Sequence, residues 1–173
     1  IDDRIVGVKN SEGKLTNVYI TERQDNAAAY EGYCEHCKKT VLWKGWLRDD
    51  EVPTKTTARY THFALQRDVN LLDQNNVKAD MHICLDLNGH TVNGKSGKRL
   101  YSLHFQGAEL AVMDMSEGKI GKLMPHGAIS AEGAAVWVRY GTFSLYSGTI
   151  DSSDVKSDYT GAAVQVNRGN TFN

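Results

Sequence analysis

The chain has 173 residues, of which 40% are hydrophobic and 24% charged, and its formal net charge is -1. Such a chain can bury one core, with room for a small appendage, and its interspersed lysines and arginines offer no basic cluster to a nucleic-acid partner. No apolar stretch is long enough to span a bilayer. Two prolines against sixteen glycines favour short strands joined by tight turns over helices.

Residues 1–55 are predicted to form a small N-terminal cap or lead-in, because they lack the repeat that fills the rest of the chain. A stack of strands needs such a cap, since its first layer would otherwise expose a strand edge and its core. In chain order the predicted elements of the cap are two strands, a Cys-x-x-Cys motif and a tryptophan pair: 4–9, 15–21, Cys34, Cys37, Trp43 and Trp46.

A recurring strand that ends in a glycine turn and an Ile or Val characterises the rest of the chain. Its copies are 85–92 (LDLNGHTV), 113–120 (MDMSEGKI) and 143–150 (FSLYSGTI). The Gly-x-Ile endings at Gly118 and Gly148 lie roughly 30 residues apart, which is typical of a solenoid. A single coil leaves its strand edges unpaired and needs a neighbour on each side. Residues 56–173 are therefore predicted to form coils of an all-β, right-handed parallel β-helix.

A second type of strand lies between these copies, at 103–105, 135–138 and 162–166. A β-sandwich is the alternative fold, but the recurrence of one motif in the same direction argues against it. The last residues, 169–173 (GNTFN), resemble 141–144 (GTFS). This likeness predicts that the chain belongs to a longer protein with further coils after Asn173.

Cysteines and histidines indicate a metal site between the cap and the first coils. Cys34 and Cys37 can supply two of the four ligands of a structural zinc ion. Cys84 faces away from the core by the alternation that buries Leu85, and His62 lies in an earlier strand. The predicted zinc ligands are therefore Cys34, Cys37, His62 and Cys84, with His36 or His82 as substitutes for His62. A disulfide between Cys34 and Cys37 and a redox-active pair remain as alternatives.

Asp86, Asp114 and Ser144 are predicted to occupy equivalent outward positions on successive coils. Stacked carboxylates attract calcium, and β-helical polysaccharide lyases combine such acids with calcium and a basic residue. A solubilising role for Asp86 and Asp114 is the structural alternative. Since no complete catalytic constellation is present, no catalytic residue is assigned, and the sequence favours a role other than that of an enzyme.

Aromatic residues are the other candidates for ligand binding. Trp137, Tyr140 and Tyr146 fall close to neighbouring strands, and exposed aromatic rings can stack on sugars or anchor a protein partner. They can equally serve as core residues. If Val136 and Val138 point inward, Trp137 must point outward.

The order of these motifs resembles that of a known group of proteins. The relevant segments are Cys34-x-x-Cys37, 41–43 (VLW), 61–65 (THFAL), 83–92 (ICLDLNGHTV) and 141–150 (GTFSLYSGTI). From about residue 30 to the end, the chain resembles large surface or secreted proteins of gut-dwelling Gram-positive bacteria. Those proteins carry a right-handed parallel β-helix, often joined to adhesin-like or cell-wall-anchoring modules.

The resemblance implies an extracellular protein, either secreted or on the cell surface. The function predicted on this basis is that of a rigid scaffold or binding module that contacts a host glycan or host protein. One alternative is a carbohydrate-active enzyme, a polysaccharide lyase or glycoside hydrolase, with part of its site beyond Asn173. The other alternative is a purely structural stalk.

Overall fold

The structure, a computed structural model, describes residues 4–9, 15–21, 29–47, 49, 60–128, 135–156, 163–167 and 171–173. Within these ranges the regular elements are all β-strands, so the all-β prediction is confirmed. The strands are β1 (Arg4–Lys9), β2 (Leu15–Thr21), β3 (Ala29–Cys34), β4 (Lys39–Trp46), β5 (Tyr60–Leu65), β6 (Val69–Asn70), β7 (Asn75–Asn76), β8 (His82–Asp86), β9 (Thr91–Asn93), β10 (Tyr101–Leu103), β11 (Glu109–Met113), β12 (Lys122–Met124), β13 (Gly127–Ala128), β14 (Val136–Val138), β15 (Thr142–Leu145), β16 (Thr149–Ile150), β17 (Val155–Lys156), β18 (Val164–Val166) and β19 (Thr171–Phe172). No helix among the described residues is long and apolar enough to cross a membrane.

Three sheets account for most of the strands. The first sheet has the order β19-β15-β11-β8-β5-β4-β3, the second β16-β12-β9-β6 and the third β18-β14-β10-β7. From β5 onward the chain visits the first, second and third sheets in turn, and each such circuit adds one strand to each sheet. Every strand pair formed between successive circuits is parallel. A short parallel pair, β13 with β17, supplements the last two circuits.

The N-terminal elements are antiparallel hairpins. β1 pairs with β2, so both predicted strands of the cap are present. β3 pairs with β4, and β4 continues into the first sheet through its parallel pairing with β5. The predicted boundary at residue 55 lies outside the described residues.

Apolar side chains of neighbouring strands stack on one another in the first sheet. In the first sheet, Ile83 pairs with Leu110, Leu110 with Phe143, and Phe143 with Phe172. Ile83, Leu110 and Phe143 are buried in the main hydrophobic core. Neighbouring strands lie about 4.8 Å apart, so each member of this column fills the space directly above the one before it.

Strands of the first sheet are apolar on both faces because both faces are covered. β8 and β11 are buried over four successive residues each, as expected of parallel strands that carry no solvent-facing side. Their inward side chains belong to the main core. On the outer face, Cys84, Ala111 and Met113 pack against Cys34 and Trp43 of the β3–β4 hairpin. The hairpin therefore covers the outer face of this part of the first sheet.

The strand register corrects the predicted alignment of the repeat copies. Leu85 pairs with Val112 and Val92 pairs with Leu123. Val92 thus lies seven positions after Leu85, whereas its partner Leu123 lies eleven positions after Val112. The turn after β11 is longer than the turn after β8. An alignment of the motif copies by their Gly-x-Ile endings therefore does not align the residues that pair in the sheets.

A different glycine is therefore the true equivalent of Gly148. Lys122 and Leu123 pair with Thr149 and Ile150, so Gly121 corresponds to Gly148, and the predicted equivalence of Gly118 with Gly148 is wrong. Gly148 has a φ of +86°, and a Cβ there would lie 2.8 Å from Leu87 Cδ1. Glycine is required at this turn both for its backbone conformation and for this close approach.

Asp86, Asp114 and Ser144 are neither equivalent nor outward on an open face, contrary to the prediction. Asp86 pairs with Met113, whereas Ser144 pairs with Ala111. Their exposed fractions are 0%, 1% and 2% respectively for Asp86, Asp114 and Ser144. The cause is tertiary: the hairpin covers Asp86, and the turns of adjoining circuits enclose Asp114.

Candidate metal centre

A tight turn and two neighbouring strands bring the four predicted metal ligands together. Cys34 ends β3, and Cys37 lies in the turn to β4, which is closed by a hydrogen bond of 2.9 Å from Lys38 N to Cys34 O. His62 on β5 and Cys84 on β8 are direct partners in parallel register. Since alternate side chains of a strand share a face, this register places the imidazole and the thiol side by side beneath the turn.

The ligand atoms of these four residues all lie within 4.8 Å of one another. Cys37 Sγ is 3.2 Å from His62 Nε2 and 3.9 Å from Cys84 Sγ. Sulfur ligands about 2.3 Å from a tetrahedral zinc ion are separated by about 3.8 Å. The Cys37–Cys84 separation therefore suits a shared metal ion. A Cys3His group of this size could hold a metal ion such as zinc.

Disulfide formation is not seen among these cysteines. Cys34, Cys37 and Cys84 are all free thiols, with Cys34 and Cys84 buried. Cys37 N lies 3.4 Å from Cys34 Sγ and donates a hydrogen bond to it. The sulfur of Cys34 thus already accepts from the backbone of its own turn, as a thiolate ligand does.

The thiols polarise one another. A hydrogen bond from Cys84 lowers the pKa of Cys34, and the same interaction, together with burial, raises the pKa of Cys84. Burial also raises the pKa of Cys37. One thiolate is stabilised, and neighbouring thiolates would repel it without a cation among them. A divalent metal ion bound here would supply that charge and would favour deprotonation of all three sulfurs.

Apolar side chains surround the group on the protein side. The Trp43 ring meets the His62 ring edge to face, with centroids 5.2 Å apart. Ala64, Ala111 and Met113 complete the cluster. The ring contact limits the orientations of the imidazole, which favours a structural metal site.

His36 and His82, the predicted substitutes for His62, lie in a separate cluster around Glu109. His36 Nε2 is 3.1 Å from Glu109 Oε1, and His82 Nδ1 contacts the other carboxylate oxygen. His36 Nδ1 also lies 3.0 Å from the Tyr146 hydroxyl. Glu109 was not among the predicted residues. Its contact with His82 follows from the strand register, in which Glu109 on β11 is the partner of His82 on β8. Through His36, Glu109 links the Cys34–Cys37 turn to the first sheet.

Asp86 is a structural residue rather than an exposed ligand. Its Oδ2 accepts a hydrogen bond of 2.6 Å from the Tyr30 hydroxyl, and its Oδ1 accepts from Asn88 N and Met115 N, both at 2.9 Å. All three contacts lie between the hairpin and the first sheet or within its turns. The carboxylate is fully buried and accepts three hydrogen bonds from the protein, so it does not face solvent where calcium or a substrate would meet it.

Asp114 is likewise enclosed. Its Oδ1 accepts from Gly89 N at 2.9 Å and from Ser116 N at 3.0 Å, and its Oδ2 accepts from Gly121 N. Burial opposes ionisation here, but these hydrogen bonds prevail and lower the pKa of Asp114. The carboxylate ties together turns of two successive circuits.

Asp86→Asn should make the protein more stable at neutral pH, and the gain should shrink in acid. Burial raises the pKa of Asp86, so the folded state disfavours its charged form. This penalty is full above the folded pKa and fades as the pH falls through it towards the unfolded value of about 3.9. Asn can keep the geometry, because Oδ1 still accepts from Asn88 and Met115 while Nδ2 donates to the Tyr30 hydroxyl. Urea unfolding of both proteins between pH 4 and pH 8 measures the difference.

Asp114→Asn is the matched contrast, with the opposite sign. Because the pKa of Asp114 is lowered, its charge stabilises the fold above about pH 3.9, and this contribution is lost as the pH falls through the folded pKa. The new amide would also direct an N–H group at a backbone donor. Asp114→Asn should therefore be destabilising at pH 7. If the stability gained through Asp86→Asn became larger as the pH fell, that result would contradict the raised pKa of Asp86.

The three predicted aromatic ligands do not form one patch. Val136 and Val138 are buried and Trp137 is half-buried on the opposite face, so the predicted placement of Trp137 is confirmed. Tyr140 follows β14 and is 54% exposed. Tyr146 follows β15 and lies against the Cys34–Cys37 turn, with Lys38 Nζ 5.7 Å from its ring centroid. Trp137 and Tyr140 instead share a contact with Arg139.

The parallel strands of the three sheets and the Cys3His group are the two features that bear on the function of the chain. No family model matches the chain, and no curated protein or solved structure matches it.

Proposed function

We propose that this chain folds as a right-handed parallel β-helix with a zinc-stabilised N-terminal cap and acts as a rigid scaffold or binding module of a secreted or cell-surface bacterial protein. The observation that carries the proposal is the convergence of Cys34, Cys37, His62 and Cys84, whose ligand atoms lie within 4.8 Å. Two of these residues come from the hairpin and two from the stacked strands. A metal ion bound there joins the two parts.

The order in which the chain visits the sheets supports a β-helix. Each circuit from β5 onward adds a parallel strand to all three sheets, which is the connectivity of a coil that advances by one layer per turn. Crossovers between parallel strands of one sheet are right-handed in nearly all proteins, and this favours the right-handed form. The main core then runs along the interior of the coils.

The donor set supports zinc in a structural role. Cys3His is a common structural zinc set, and four protein ligands leave no position for a substrate or water. When bound, zinc would supply the charge that balances the thiolates and a cross-link from the turn to β5 and β8. Cys34 and Cys37 would hold it from the turn, and His62 and Cys84 from the first sheet.

The scaffold or binding role rests on the resemblance to bacterial surface proteins and on the exposed aromatic residues. A host glycan or host protein is the proposed partner, and an array of both classes tests it. Asp86 and Asp114 are buried, so they cannot act as the acidic residues that the alternative of a lyase or hydrolase requires. A purely structural stalk is the outcome if the array gives no ligand.

Metal analysis tests the zinc proposal directly. Protein purified without chelator should contain about one zinc ion per chain, and Cys84→Ser and His62→Gln should each lose most of it. His90→Gln is the control, because His90 contacts Asp68 at 3.5 Å outside the group. Wild-type protein loaded with cobalt should show the absorption of a tetrahedral thiolate site, a readout that requires no variant to fold. Folded wild-type protein that binds neither metal would refute the proposal.

A further inference from the structure

We propose that Cys37 and Cys84 form a reversible disulfide when the metal-free protein meets hydrogen peroxide. This inference rests on the metal site of the function proposed above and deepens it, because it adds a redox control to the same ligand residues. In the structure Cys34, Cys37 and Cys84 are free thiols, so the disulfide is a second state of the site. The hairpin then stays joined to the first sheet without a metal ion.

Geometry favours the pair of Cys37 and Cys84. Their sulfur atoms lie 3.9 Å apart, and a disulfide bond is about 2.05 Å long, so the two sulfurs need to approach each other by about 2 Å. Cys84 is held on β8 by its pairing with His62, whereas Cys37 lies in the turn between β3 and β4. A turn residue can change its side-chain rotamer and shift slightly without breaking the hydrogen bonds of a sheet.

Exposure makes Cys37 the first target of an oxidant. Cys37 is partly exposed, whereas Cys34 and Cys84 are buried. Thiols react with peroxide as thiolates, and they react fastest where the oxidant reaches them from solvent. The sulfur of Cys34 is engaged by its own turn, where it accepts a hydrogen bond from Cys37 N at 3.4 Å. Cys37 is therefore the residue that peroxide oxidises, and Cys84 is the thiol that resolves it.

Two thiols and one molecule of hydrogen peroxide give one disulfide and two molecules of water. The Cys37 thiolate attacks one peroxide oxygen, the O–O bond breaks, and Cys37 becomes a sulfenic acid while hydroxide leaves. The Cys84 sulfur then attacks the Cys37 sulfur, the S–O bond breaks, and the second oxygen leaves as hydroxide. The two protons lost by the thiols convert both hydroxides to water. Each sulfur gives up one electron, and the peroxide takes up both.

The disulfide takes the place of the proposed metal ion as the link between the hairpin and the first sheet. Cys37 and Cys84 lie 47 positions apart in the chain, so the bond ties the turn to β8 and closes a long loop. Sulfurs in a disulfide are no longer thiolates and lose their affinity for a metal ion. Oxidation therefore abolishes metal binding while the hairpin stays in place. The oxidised protein should melt at a higher temperature than the reduced, metal-free protein, and a chelator should not change that temperature.

Peroxide treatment of the full chain after removal of metal tests the proposal. Two of the three cysteine thiols should be lost per chain and recovered with dithiothreitol. A glutamate-specific protease cuts after Glu35, between Cys34 and Cys37, so mass spectrometry of the digest identifies the linked pair. A disulfide between Cys37 and Cys84 supports the proposal. Any other pair, or oxidation to sulfinic acid without a disulfide, overturns it.

Two variants separate the disulfide from the metal site. Cys34→Ser removes one proposed ligand but keeps Cys37 and Cys84, so it should bind zinc poorly and still form the same disulfide. Cys84→Ser is the matched control, and peroxide should not raise its melting temperature, because no bond can then reach β8. A folded Cys34→Ser protein that forms no disulfide overturns the proposal. Wild-type protein that binds zinc but forms no disulfide overturns this inference alone, whereas protein that forms the disulfide but binds no zinc overturns only the metal proposal.

Discussion

Removal of zinc by a chelator should lower the melting temperature of the protein by at least about 10 °C. Structural zinc contributes about 10–16 kcal/mol of apparent binding free energy in zinc-finger peptides, and each kcal/mol shifts the melting temperature of a chain of this size by about 2–4 °C. The effect here is smaller than the full binding energy because the stacked strands keep their own core. Loss of the metal leaves the turn with Cys34 and Cys37 without its link to β5 and β8. Differential scanning calorimetry with and without chelator measures the shift.

The Cys84→Ser variant provides the control for this experiment. It lacks one of the four ligands, so its melting temperature should start low and respond little to the chelator. Adding zinc back should restore the melting temperature of the wild-type protein and not that of the variant. Equal melting temperatures of metal-loaded and metal-free wild-type protein would contradict a stabilising metal centre.

Phe143→Ala should cost about 3–5 kcal/mol of unfolding free energy, the usual range for a fully buried phenylalanine. Phe143 is 0% exposed and lies between Leu110 and Phe172 in the column that crosses the first sheet. Truncation would leave a cavity that both neighbours border, and the stacked strands cannot close in to fill it. Urea unfolding, followed by circular dichroism, measures the change.

Phe172→Ala is the matched comparison, since Phe172 occupies the next position of the same column. Its ring stacks on Phe143 with centroids 5.5 Å apart, but it is 47% exposed. The same substitution should therefore cost only about 1 kcal/mol. Equal costs at the two positions would mean that the column is not the continuous core described above.

Much of the candidate metal centre was predictable from local patterns. The spacing of Cys34 and Cys37 suits a tight turn, and the alternation of a strand places Cys84 on the face opposite Leu85. The placement of Cys84 depends only on the period of two along a strand, and the Cys34–Cys37 spacing depends only on the reach of a single turn. The structure brings His62, rather than His36 or His82, to the three cysteines, because His62 lies on the strand that pairs with the strand of Cys84.

Register and covering of the strands were not predictable in the same way. The motif copies suggested that Asp86 and Asp114 were equivalent, but the turn after β11 is longer than the one after β8, and backbone pairing follows the strands rather than the motif endings. The burial of Asp86 depends on the β3–β4 hairpin, which lies some 50 residues earlier in the chain. Its Tyr30 hydroxyl donates a hydrogen bond to Asp86.

By itself, the sequence determined the strand-rich composition, the repeating alternation and the types of residue available as metal ligands, because these follow from short-range periodicity and side-chain chemistry. Only the tertiary structure decided which strands pair in which register, which aspartates are buried, and that His62 and Cys84 lie beside the Cys34–Cys37 turn. Those outcomes depend on turn lengths and on contacts between segments far apart in the chain, which no local pattern encodes.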